Sequence, residues 1–122
     1  MFKNMKIGDK TIPMLANGAT PLRYKLVFKK DIIKELQLAE NDYSKVTDSM
    51  PELAFIMAKQ AEASSGNADL NLLDFNMYMT WMEQFGPMDL VLASDDIIDL
   101  YMGNAETSTE PKKKVRGAAK ES

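Results

Sequence analysis

The stretch Asn71 to Phe85, NLLDFNMYMTWMEQF, constrains this chain more than any other. Phe75, Tyr78, Met82 and Phe85 fall three, four and three positions apart, the spacing that lines one face of an α-helix. Asn71 can cap its start, Asp74 suits the first turn where the helix dipole favours an anion, and Gly86-Pro87 ends it. On a helical projection Trp81, Phe85, Tyr78, Met82, Phe75, Met79 and Leu72 cover about half the circumference, wider than the ~100° stripe of a surface helix. Leu73 and Met77 lie beyond that arc. Burying a large apolar side chain stabilises by about 1.5–3 kcal/mol, whereas ordering each residue costs about 1–2 kcal/mol. The segment is therefore expected at the centre of a domain, with apolar width left over for more neighbours or a second protein.

A chain of 122 residues suits one compact domain, and 45% hydrophobic with 27% charged residues is ordinary for a globular protein. No run approaches the ~18 apolar residues of a membrane span, and the N-terminus lacks the apolar core of a signal peptide, so a cytoplasmic protein is expected. Cys and His are both absent. That removes disulfides, thiolate or Ser-His-Asp nucleophiles and N/S zinc sites. Carboxylate or Lys chemistry remains, no cluster makes a case for it, and the chain reads as a non-enzyme without cofactor or metal. Ten Met residues suit either gap-filling in a helical core or a surface that adapts to more than one partner.

Phe2 to Leu15 reads as a β-hairpin. Met5 and Ile7 alternate with polar residues, Gly8-Asp9 makes the turn, Ile12 and Met14 return, and Pro13 marks an edge. Thr20-Pro21 starts a first helix, with Leu22, Leu26 and Val27 expected inward and Arg23 and Lys25 outward. Asp31 caps a second, with Ile32, Ile33 and Leu36 inside. Glu40 to Thr47 reads as loop. Ser49-Met50-Pro51-Glu52 is a capping box opening a helix to about Ala63, with Leu53, Ile56, Met57 and Ala61 on one face and Phe55 opposite. Ser64 to Asp69 is loop-like. A last segment spans Leu90 to Met102, with a break at Ser94 as one possibility, and faces Ile97, Ile98 and Tyr101 inward before Gly103-Asn104 stops it. The expected architecture is a mainly α bundle of about five helices over 1–104, followed by a flexible basic tail over 105–122. Residues 111–122 carry five Lys/Arg against one Glu, net +4, which leaves −7 for residues 1–110 of a chain that totals −3.

Asp95, Asp96 and Asp99 fit the dipole-favoured first turn of a helix better than a metal site. Pro111 to Arg116 could contact phosphates, yet the body is acidic and no aromatic residues interleave to stack bases; a solvated tail is the better reading. Phe55, Leu73, Met77 and Trp81 sit at or beyond the edges of the inferred core faces. Either a loop or the hairpin covers them, or they form a contact patch for another chain, for which Trp and Met are suited.

The sequence resembles the tail assembly chaperones of long-tailed bacteriophages and prophages of Gram-positive bacteria. The resemblance is carried by KIGDKTIPM, GATPLRYKLVFKKDIIKEL, ELAFIMAKQAE, DFNMYMTWMEQFGPMDL and IIDLYMGN, in that order, over most of residues 5–104. The family's phrase carries a Gly after the Phe that ends its first helix, where this chain has Lys29, so the helix exit is expected to differ. The resemblance implies a non-enzymatic chaperone in the host bacterial cytoplasm that self-associates. Such a protein would bind and solubilise the tape measure protein, help recruit tail tube subunits, and be absent from the mature virion. It carries over no catalytic residue, and it implies that the Lys run at 112–114 could be encoded by a sequence on which ribosomes slip. The competing readings are a structural virion component, such as a tail terminator or head–tail joining protein, and a nucleic-acid-binding regulator acting through the basic tail.

Overall fold

The computed structural model describes residues 1–66 and 70–103. Over these residues the chain is mainly helical: an antiparallel hairpin is followed by six α-helices. The expected tail over 105–122 lies outside the described residues, as do 67–69 of the expected loop and Asn104 of the stop signal.

Strands β1 (Phe2–Ile7) and β2 (Lys10–Leu15) pair with Phe2 opposite Leu15 and Ile7 opposite Lys10. Gly8 takes positive φ at 61°, which calls for glycine in the turn, and a Cβ there would also push aside the Asp89 carboxylate, 2.5 Å away. Met5, Ile7 and Met14 point into the core as the alternation predicts.

The element at the centre is α3 (Ser44–Ser64), not the 71–85 segment. The hairpin and the other helices pack around it, and Leu53, Ala54, Phe55, Ile56 and Met57 are each wholly buried. A helical stretch that is apolar on every side, as Leu53 to Ala58 is, belongs in the middle. It begins five residues before the expected capping box, where Asp42 Oδ1 accepts from the Ser44 amide and hydroxyl at 3.0 and 2.7 Å. Pro51 therefore sits inside the helix, where it has no N–H for the Thr47 carbonyl.

Helix α1 (Thr20–Phe28) is turned relative to expectation. Thr20, Tyr24 and Phe28 face inward, whereas Leu22 and Leu26 are 65% and 70% exposed. Two aromatic rings remove more apolar area from water than two leucines, and Tyr24 Oη also reaches Glu52 Oε1 at 2.7 Å. Gln60, buried on α3, ties this helix to the hairpin: its Nε2 donates to the Leu15 carbonyl and to Thr20 Oγ1, and its Oε1 accepts from Arg23 Nη1. Lys29 closes α1 in the left-handed region at φ 62°, the single positive φ outside glycine among the described residues.

Asp31 caps α2 (Ile32–Ala39) as expected, accepting from the Ile33 amide at 2.9 Å. Ile32 is buried and Leu36 partly so, but Ile33 is 47% exposed because Glu35 takes the inward position, accepting from the Ser49 hydroxyl at 3.2 Å. The central stretch of the sequence divides into a 3-10 turn at Leu70–Leu72 and a shorter α4 (Phe75–Met82), capped by Asp74 rather than Asn71. The last segment divides at Ala93 into α5 (Asp89–Leu92) and α6 (Ser94–Met102), with Ile97 and Leu100 buried. Gly103 ends α6 with φ 81°.

Candidate interaction surface

The four residues nominated from the sequence do not form one exposed patch. Phe55 is wholly buried and Trp81 is 7% exposed; their rings meet with centroids 5.6 Å apart. Phe28 and Tyr78 complete the aromatic cluster at 5.0–6.3 Å. Phe55 is inside because α3 is covered on all sides from Leu53 to Ala58, so that stretch has no outer face. Leu73 and Met77 are partly buried against the same core.

The inward arc of α4 is turned toward Met77 and Trp81, which strands other apolar side chains outside. Phe75 and Met79, one helical turn apart, are 55% and 48% exposed, and Leu72 just before the helix is 65% exposed. Leu22 and Leu26 form a second exposed pair at the same spacing on α1. Between α1 and the 3-10 turn lies a groove of about 480 Å³ lined by Leu22, Leu26, Val27, Leu70 and Leu73, with Arg23 at its edge. Leu73 is thus the nominated residue that reaches a surface groove alongside the exposed leucines. Met77 and Trp81 line a separate, more polar hollow beside Lys59 and Asp74.

A further groove of similar volume runs between α2 and the α5–α6 corner, lined by Leu36, Tyr43, Val46, Val91, Leu92 and Ile98, with Glu40 and Asp95 at its rim. The two grooves differ in charge because the chain does. Residues 1–40 carry eight Lys/Arg against four Asp/Glu, net +4; residues 41–103 carry two against eleven, net −9. The exposed Lys25 stands three residues from Leu22 on α1 and the exposed Lys29 follows just past the helix end, and neither makes an ion pair among the described residues.

Two buried phenols are shifted by their surroundings. Burial raises the Tyr24 phenol above its ordinary value, helped by its hydrogen bond to Glu52, whose Oε1 also meets Lys30 Nζ at 2.8 Å. Burial likewise raises Tyr78. Asp95, Asp96 and Asp99 sit at the start and middle of α6, and no group of three potential metal ligands converges among the described residues. No helix among them is long and apolar enough to cross a membrane.

Leu22, Leu26, Phe75 and Met79 lie at the surface although the helical spacing places each on the inward face of its helix. The signal that could have found the α1 pair is the competing aromatic pair, Tyr24 and Phe28, on the opposite side of that helix. Comparison with protein-family models, curated proteins and solved structures finds no match.

Proposed function

We propose that the chain is a non-enzymatic assembly chaperone that captures apolar stripes of a largely helical client. Concretely, it would be a phage tail assembly chaperone that holds the tape measure protein in the host cytoplasm and helps recruit tail tube subunits. The observation that carries this reading is the exposure of Leu22 and Leu26 beside an apolar groove on a domain that already has a closed core. Leucines at i and i+4 next to a concave apolar surface suit a helix laid into a groove. The exposed Leu72, Phe75 and Met79 add apolar surface for the same purpose. The resemblance to tail assembly chaperones supplies the identity of the client. Small, weak contacts of this kind release readily, with strength restored by many copies acting along one client.

The test is co-expression with tape measure protein. The chain is expected to raise the soluble fraction of that protein, and Leu22→Ser with Leu26→Ser to abolish the gain while leaving the chaperone folded. Equal solubility with and without the chain defeats the proposal. Recovery of the chain from purified virions by mass spectrometry would reassign it to a structural component.

A further inference from the structure

We infer that the α1 groove selects client helices whose apolar stripe is flanked by carboxylates, with Lys25 and Lys29 as the selecting residues. This rests on the client-capture reading and adds the chemistry of the partner. Lys25 and Leu26 stand three and four residues after Leu22, so this side of α1 presents two leucines and an ammonium group to solvent, with the exposed Lys29 following just past the helix end. Both lysines are exposed and neither is neutralised by an ion pair among the described residues, in contrast to Lys30, which is paired with Glu52. Arg23 is the cation that lines the groove itself, its Nη1 donating to Gln60 Oε1, while Lys25 and Lys29 flank the leucines outside the lining; no carboxylate lines that groove among the described residues.

Lys29 carries a second signal. An L-residue in the left-handed region is destabilised relative to glycine, so a helix end built only for stability would carry Gly. A lysine held there keeps an exposed cation at the end of α1 against a conformational penalty, and residues in such conformations cluster where function requires them.

The surroundings sharpen the choice of partner. Residues 41–103 are net −9, so an acidic helix has favourable contacts at α1 and unfavourable ones over the rest of the body, which fixes where it docks. An anionic lipid surface is the other partner a basic apolar helix face could suit. It is disfavoured because that acidic body would be held against the membrane, and because a concave groove fits a ridge of side chains better than a flat surface.

Three synthetic helical peptides of ~20 residues test this, sharing one leucine stripe at i and i+4 and differing in Glu, Gln or Lys flanks. Binding is read by fluorescence anisotropy against the full chain. The Glu-flanked peptide is expected to bind about fivefold more tightly than the Gln-flanked one and the Lys-flanked peptide most weakly, as two exposed ion pairs would give. The difference should vanish at high salt. The double variant Lys25→Glu with Lys29→Glu should invert the order, and Lys25→Ala alone should reduce the Glu preference without touching the left-handed site. Equal binding of all three peptides, in competition with tape measure protein, overturns the charge selection and leaves client capture standing. No binding of any peptide, together with no solubilisation of tape measure protein, overturns both. Binding to phosphatidylglycerol vesicles that the double variant loses, without discrimination among peptides, overturns the inference in favour of lipid.

Discussion

The rings of Phe55 and Trp81 meet near edge-on, 5.6 Å between centroids and 62° between planes, inside the core that α3 and α4 share. Edge-to-face pairs of this kind add to the area they bury, and Phe55 touches Phe28 and Tyr78 in the same way. Phe55→Ala or Trp81→Ala is therefore expected to cost about 3–5 kcal/mol of folding stability. Thermal or urea unfolding measures it. A loss below ~1 kcal/mol for both, with client binding abolished, would return these residues to a surface role.

Leu22 and Leu26 are expected to behave in the opposite way. Exposed by 65% and 70% of their area, they contribute little to the core, so Leu22→Ser with Leu26→Ser should change stability by no more than about 0.5 kcal/mol per site beyond helix propensity. Client capture should fall sharply. A large drop in melting temperature would show that these leucines are packed in solution.

Which features could be read from the residues, and which could not, follows from how many arrangements each pattern permits. The hairpin was legible because a two-residue Gly-Asp turn and strict alternation leave one register that buries Met5, Ile7 and Met14. The Asp31 cap and the Gly103 stop were legible for a similar reason, each resting on local backbone chemistry. The phase of α1 was not: Leu22/Leu26 and Tyr24/Phe28 both repeat at four residues on opposite sides, and only packing against α3 chooses between them. The 71–85 stretch is apolar around most of its circumference, so its inward arc was also undetermined. Contact with Phe55 and Phe28 drew Tyr78 and Trp81 in and left Phe75 and Met79 outside. The start of α3 was hidden by a stronger signal a few residues later, since Ser49 to Glu52 matches a capping box while Asp42 does the work of starting the helix.

Lys29→Gly is expected to stabilise the fold while weakening capture of acidic helices. Relief of the left-handed penalty of about 1–2 kcal/mol, less the extra chain entropy of glycine at roughly 0.5–1 kcal/mol, leaves a net gain of about 0.5–1 kcal/mol. Unfolding midpoints give the first quantity and the Glu-flanked peptide gives the second. A Gly variant that is less stable than the parent would mean that the Lys29 side chain makes contacts worth more than its backbone conformation costs.

Alkaline pH supplies a test of the aromatic core that needs no partner. Burial raises the phenols of Tyr24 and Tyr78 above their ordinary value, so folding favours the neutral form of each. A raised value in the folded state means that this stability is fully present below the unfolded value of about 10 and is lost as pH climbs from there toward the folded values. The urea midpoint should therefore hold steady from neutral pH to about 9 and then fall. Tyr78→Phe removes one ionising group while keeping the ring against Phe28 and Phe55, so its midpoint should fall less steeply above pH ~10 than that of the parent. All other groups are common to both proteins, which makes the difference between them the informative quantity. Parallel curves for parent and variant would mean that Tyr78 is solvated, and the packing of α4 on α3 would then have to be redrawn.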